Sequence, residues 1–250
     1  DRLDGTWKAD LLLYCVKEYD NATAIELISP AVGDGTSILT LQNGIGSGDV
    51  LASALGHEKI LLGVTYIDSS RREPGVIEEY SDNCNIVFGE EDGRRTPRAV
   101  TIRDILTKAG INVELSHNVL GVLWNKMIFI CGLSGMTCIT RSSFPEVLDN
   151  PAAVNLTLRI MQEAHAVGVA KGVDLAEDLV EKTMDYFREI GGRLGSSMYT
   201  DLERGNPVEV GVLNGAVAKF GSDLGIETPS NEFIAVCLSI AHSRAMSKRI

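Results

Sequence analysis

The sequence predicts an α/β fold in two parts: a parallel sheet covered by helices over residues 1–118, then an all-helical domain over residues 119–250. Three observations carry this. Short β-branched runs alternate with helical periodicity as far as His117; beyond it only helical periodicity remains. The chain has 250 residues, 44% of them hydrophobic and 23% charged, enough for one large domain or two smaller ones.

Strand-like runs fall at residues 11–16, 37–41, 60–67, 76–80, 85–89 and 112–115. Helical spacing covers 23–31, 49–55 and 97–109, with Pro97 suited to a first turn. Strand, helix and strand in succession imply crossover connections and hence parallel pairing. In the second half, helical patterns span 119–133, 152–171, 176–190, 208–224 and 231–247. They are broken at Gly191-Gly192, Gly205-Asn206-Pro207 and Thr228-Pro229. The chain opens Asp1-Arg2-Leu3-Asp4, with neither an initiator Met nor a signal-peptide pattern, and so reads as incomplete at its N-terminus.

Composition narrows the function. Lys and Arg number 23 against 34 Asp and Glu, a formal charge of −11, which is the wrong sign for gripping a nucleic-acid backbone. The most apolar stretch, 127–139, falls short of the roughly 20 residues of a membrane crossing and is interrupted by Gly and Ser. No membrane partner is expected. Five cysteines without C-x-x-C spacing fit a reducing cytoplasm, and four scattered histidines give no metal motif.

Three segments could carry chemistry. Residues 37–48 run from a strand through Asn43-Gly44-Ile45-Gly46 into a helix, and residues 11–16 end similarly at Lys17. In an open parallel sheet such strand ends collect ligands, so a cation and an amide there suit a polar, phosphorylated cofactor; a plain turn and a solvated terminus are the alternatives. Lys126 lies within an almost wholly apolar helix. Burial lowers a lysine pKa and suits it to proton transfer, whereas a lysine snorkelling to water is the structural alternative. Ser196-Ser197 and Asp201 precede Glu209, which falls in the first turn of the 208–224 pattern, where an acid is also favoured by the helix dipole alone.

Together these segments resemble the ketopantoate reductase family. The matches are Val16-Lys17, Leu41-Gln42-Asn43-Gly44-Ile45-Gly46, Gly63–Ile67 with Glu73–Ile77, Leu123-Trp124-Asn125-Lys126, Ser196-Ser197-Met198 with Asp201, Glu209, Leu213-Asn214-Gly215 and Gly225–Asn231, all in family order. The resemblance implies a Rossmann-like NADP-binding domain over 1–118 and a helical substrate domain over 119–250, with substrate in the cleft between them. It implies Lys17, Asn43, Ser69 and Glu209 at the cofactor NADPH, Lys126 as general acid, and Ser197, Asp201 and Ser134 at the substrate. The implied reaction is reduction of a 2-oxo acid to a 2-hydroxy acid, ketopantoate to pantoate in pantothenate biosynthesis. Members are often dimers, so a homodimer is among the assemblies implied, although the sequence displays no exposed apolar stripe from which to derive it.

The sequence departs from the family pattern in two places. The G-x-G-x-x-G turn is absent, as expected if a first βαβ unit of roughly 30 residues is missing. Where the family usually carries asparagines, this chain has Ile130, Ser134 and Leu194. Losing amide donors favours a more apolar 2-oxo acid, with a non-catalytic NADP-binding module as the remaining alternative.

Overall fold

Alternating side-chain direction along the first three strands decides how the sheet is covered. The computed structural model describes residues 6–80, 84–190 and 194–249, so the chain's opening tetrapeptide and the Gly191-Gly192 break lie outside the described residues. Residues 1–42 with 47–123 form one compact unit, and residues 43–46 with 124–250 form a second.

In the first unit, β1 (Leu11–Tyr14), α1 (Asn21–Ile28), β2 (Ser37–Thr40), α2 (Ser47–Leu55) and β3 (Ile60–Tyr66) follow in order. A hairpin of β4 (Ser69–Glu73) and β5 (Val76–Glu79) comes next, then β6 (Asn85–Gly89), α3 (Pro97–Lys108) and β7 (Asn112–Leu115). The sheet order is β1-β2-β3-β6-β7. β1–β2, β2–β3 and β6–β7 pair in parallel, as expected of strands joined through helices. β3 and β6 pair antiparallel, because the hairpin between them contains no crossover helix and returns the chain in the reverse direction. The sheet is therefore mixed.

Leu39, Leu41, Leu61 and Phe88 point to one face, where Ala99, Ile102 and Leu106 of α3 cover them. Ile38, Tyr14 and Ile60 point to the other, against Leu51 and partly buried residues of α1 and α2. Period-two alternation on strands buried from both sides accounts for the near-continuous apolar runs. Thr96 caps α3 by accepting the Ala99 N–H, and Pro97 takes the first turn, where its missing donor costs nothing.

The second unit is helical: α4 (Val119–Thr140, from Trp124 on), α5 (Phe144–Leu148), α6 (Pro151–Ala170), α7 (Leu179–Ile190), α8 (Ser197–Glu203), α9 (Asn214–Leu224) and α10 (Pro229–Met246). α4 runs seven residues past the expected end at Leu133, and its 22 residues are apolar enough to cross a membrane by length and composition. Two-thirds of its apolar window is buried inside the protein, which makes it the core helix of this unit. Trp124, Met127, Ile128 and Cys131 from α4 pack with Ile160, Met161, Ala164, Phe187 and Val217. The expected helix over 208–224 is divided instead. Glu209–Val212 form a 3-10 turn, Leu213 adopts φ −109° and ψ −110°, and α9 starts at Asn214.

Candidate active site

At the C-terminal end of β1, Lys17 is partly buried and extended (φ −63°, ψ 144°), and its carbonyl accepts the Asp20 N–H. The neighbouring end of β2 is fastened to it by Gln42. That buried amide donates to the Val16 carbonyl at 2.7 Å and to Asn21 Oδ1 at 2.8 Å, and Tyr14 Oη donates to the same Asn21 oxygen at 3.1 Å. Gln42 and Asn21 therefore hold the two strand ends in register. Sequence reasoning quoted Gln42 as a motif residue but assigned it no role; only the fold shows that it crosslinks strands. At the start of α2, Ser47 Oγ is buried without a partner. An orphaned hydroxyl beside the free N–H groups of a helix start suits a phosphorylated or ribosyl ligand, so these residues fit a dinucleotide. Ser69 is exposed at the first position of β4.

The Asn43–Gly46 turn belongs to the helical unit. Ile45 N–H donates to the Val212 carbonyl at 3.2 Å, so the turn is tied to the 3-10 segment that carries Glu209. Gly44 makes this possible: its φ is +87°, and a Cβ there would lie 2.3 Å from the Val212 oxygen. Gly46 has φ +100° with open space around it. Gly44→Ala is expected to cost about 1–3 kcal/mol of stability, more than Gly46→Ala, because it meets both a steric and a backbone penalty. Parallel thermal melts check this, and equal Tm values for the two variants would reject it.

Lys126 is partly buried on α4. Loss of hydration lowers its pKa to about 8, and the nearby Glu209 carboxylate acts in the opposite sense, favouring the ammonium. Glu209 itself is 5% exposed. The structure thus brings together two of the expected residues from positions 83 apart in the chain. Ile130 and Ser134 follow Lys126 at helical intervals of four, sharing its face of α4. Ser134 is buried, and its Oγ accepts a hydrogen bond from Ser196 Oγ at 2.9 Å. Ser196 also caps α8 by accepting the Tyr199 N–H at 3.0 Å. The expected Ser197 is the exposed first residue of α8, one position along from the serine that touches α4. An N-cap serine before a helix was the available signal for Ser196. Ser197 and Asp201 do share α8, and Asp201 accepts from Asn206 Nδ2 at 3.3 Å. Leu194 and Ile130 pack against the helical core as apolar residues.

Two other features are structural. Asn231 Nδ2 donates to the Ile160 carbonyl at 3.0 Å and to Glu163 Oε2 at 2.7 Å, while its Oδ1 accepts from Asn214 Nδ2 at 2.9 Å. Glu163 accepts the Ser230 and Asn231 backbone N–H groups and so caps α10 from α6. A cavity of about 600 Å³ in the first unit is lined by residues including His57, Ile60, Glu90, Thr96 and Arg98. Ile60 opens β3, so the cavity lies at the sheet edge opposite the ends of β1 and β2, away from the expected cofactor residues. Arg98 closes onto Glu90 in a two-point ion pair of 2.6 and 2.8 Å; burial opposes ionisation of Glu90, yet Arg98 and Thr96 hold its carboxyl below the usual range.

A mixed α/β sheet with open strand ends, followed by a helical unit carrying a lysine tuned by a glutamate, defines a dinucleotide-dependent oxidoreductase of the two-domain kind. Comparison with known proteins makes this specific. The family pattern "Ketopantoate reductase PanE/ApbA" matches residues 5–93, and that of its C-terminal domain matches residues 118–241. A 2-dehydropantoate 2-reductase from Halobacterium salinarum is 28% identical over 236 residues, covering 93% of this chain and 76% of that protein. The crystal structure of 2-dehydropantoate 2-reductase from Geobacter metallireducens superposes with a TM-score of 0.87 at 30% identity, covering 94% of this chain and 78% of that one. A D-mandelate dehydrogenase with NADH and anilino(oxo)acetate shares the fold with a TM-score of 0.87 at 20% identity, over 99% of this chain and 79% of that one. The chain belongs to the ketopantoate reductase family, oxidoreductases that act on CH–OH groups with a nicotinamide dinucleotide.

Proposed function

We propose that this protein reduces a 2-oxo acid to a 2-hydroxy acid with NADPH, ketopantoate being the reference substrate, and that Lys126 delivers the proton. The carrying observation is that Lys126 lies partly buried on the apolar helix α4 near the buried Glu209 carboxylate, a setting in which burial lowers its pKa to about 8. An ammonium with that pKa is protonated at neutral pH and gives up its proton far more readily than an ordinary lysine.

Lys17, Asn43, Ser69 and Glu209 are the residues we assign to the cofactor, with Ser47 added by its orphaned hydroxyl. Bound NADPH supplies the hydride. Lys126 Nζ holds a proton for the substrate's C2 oxygen and opposes the negative charge that grows there during reduction, combining acid catalysis with electrostatic stabilisation. Glu209 favours the charged form of that lysine against the loss of hydration. Ser197 and Asp201 present a hydroxyl and a carboxylate from one short helix for substrate binding, and Ser134 supports α8 through Ser196. The buried, high-titrating thiols of Cys131 and Cys138, the latter pushed up to about 12, behave as inert core residues and support a reducing, cytoplasmic setting.

Ile130 and Leu194 favour a second substrate reading, since both are engaged with apolar neighbours. A site that offers little hydrogen bonding to a 4-hydroxyl discriminates weakly for it. NADPH oxidation by the full-length protein should be measured across 2-oxo acids with and without that hydroxyl. Turnover of ketopantoate at the highest kcat/KM supports the first reading. A clear preference for a branched, hydroxyl-free 2-oxo acid supports the second, and binding of NADPH without any turnover would reject both.

A further inference from the structure

The dipeptide Asn-Gly occurs twice in the sequence, at Asn43-Gly44 and Asn214-Gly215, and the fold treats the two in opposite ways. This pairing is open to intramolecular attack, because glycine has no side chain to shield its own nitrogen and leaves the backbone free to bring that nitrogen onto the preceding amide. Asn214 is fully buried at the start of α9, where its Nδ2 donates to Asn231 Oδ1 at 2.9 Å and to the Cys131 carbonyl at 3.4 Å. Reaction there has to break both bonds inside the core. Asn43 is only partly buried, in the turn between β2 and α2. Neither its side-chain amide nor the Gly44 N–H makes a hydrogen bond among the described residues. The tie from Ile45 N–H to the Val212 carbonyl holds the turn without engaging the atoms that would react.

We propose that Asn43 is a deamidation site, at which the chain converts its own amide to a carboxylate with water as the co-reactant. The Gly44 backbone nitrogen attacks Asn43 Cγ and forms a C–N bond. The Cγ–Nδ2 bond breaks, and Nδ2 leaves as ammonia with the proton that Gly44 N–H gives up. Water then opens the succinimide ring at either carbonyl. Cleavage between Gly44 N and Cγ gives aspartate; cleavage between Gly44 N and the Asn43 main-chain carbonyl carbon gives isoaspartate, whose backbone carries an extra carbon. No atom changes oxidation state.

Both products replace a hydrogen-bond donor with a negative charge. Isoaspartate also displaces Gly44, which is packed so closely that a Cβ there would lie 2.3 Å from the Val212 oxygen. The functional consequence rests on the assignment of Asn43 to the cofactor: a carboxylate at that position repels a phosphorylated, anionic dinucleotide and weakens its binding. The modification itself does not depend on that assignment.

Mass mapping of peptides from the full-length protein, incubated at mildly alkaline pH, tests the proposal. The Asn43 peptide should take on the mass of an amide converted to an acid, divided between aspartate and isoaspartate. It should do so at least about tenfold faster than the Asn214 peptide, which has buried hydrogen bonds to break first. In denaturant the two should react at similar rates, because only the fold separates them. An Asn43 peptide that reacts no faster than the Asn214 peptide in the folded protein overturns the proposal. Saturating NADPH should slow the reaction at Asn43, and Asn43→Asp should weaken NADPH binding about tenfold or more with an unchanged circular dichroism spectrum. Deamidation that NADPH does not slow, together with full NADPH affinity in Asn43→Asp, upholds the modification site and removes Asn43 from the cofactor assignment.

Discussion

Replacing Lys126 with alanine should lower kcat about a hundredfold or more while the protein remains folded, since that is the usual scale of loss for a general acid. The pH profile gives this effect its signature. Reduction needs the ammonium form, which predominates below about 8 in the folded protein. In the wild type, kcat for reduction should therefore fall as pH rises through about 8. Glu209→Gln removes the carboxylate that favours the charged lysine, so the falling limb should move to lower pH. Lys126→Arg keeps a positive charge but not a transferable proton, and should not restore turnover. Stability should move the other way. A lysine whose pKa is lower folded than unfolded leaves the unfolded chain holding more protons between about 8 and 10.5, so stability gained from this group rises across that window. Lys126→Met should accordingly fold at least as well as the wild type at pH 7. Near-normal turnover in a folded Lys126→Ala protein, or an unmoved limb in Glu209→Gln, would count decisively against the assigned roles.

The second large effect concerns the scaffold. Asn231→Ala should destabilise the helical unit by about 3 kcal/mol, at the upper end for losing buried hydrogen bonds. Asn231 is fully buried and connects α10 to α6 and α9 through Ile160, Glu163 and Asn214. Truncation leaves Asn214 Nδ2 with only its longer bond to the Cys131 carbonyl, at 3.4 Å, while its Oδ1 already lacks a partner. A cost of that size corresponds to roughly 6–12 °C in Tm for a unit of this order of size. Ser230→Ala, which leaves the backbone N–H on Glu163, should change stability by no more than about 0.5 kcal/mol. Denaturant melts of the two variants side by side decide the matter, and an Asn231→Ala protein as stable as Ser230→Ala would refute it. The two asparagines that accompany the family resemblance, Asn214 and Asn231, thus act as helix ties.

Elements marked by apolar, β-branched or periodic patterning were legible in the sequence, and several boundaries agree with the structure to the residue, as at β6 and β7. Elements defined by pairing or capping were not. β4 reads Ser-Ser-Arg-Arg-Glu, with no apolar alternation, and exists because β5 pairs with it. α5 is announced by a capping box from Ser143 to Glu146, a signal carried by hydrogen-bonding residues and not by hydropathy. α8 begins at a serine whose partner, Ser134, is 62 positions away.

What the amino-acid sequence alone determined is what local chemistry controls: two kinds of architecture in one chain, the conspicuous lysine in an apolar helix, and the glycine turn after a strand. These follow from periodicity, from the cost of burying charge and from backbone freedom, all readable within a few residues. Tertiary structure decided what depends on residues distant in the chain. It reversed β6, split the 208–224 helix so that Glu209 sits near Lys126, put Ser196 rather than Ser197 against Ser134, and left one side of α10 in water. The reason is that pairing direction, electrostatic coupling and exposure are properties of neighbours in space, and only folding selects those neighbours.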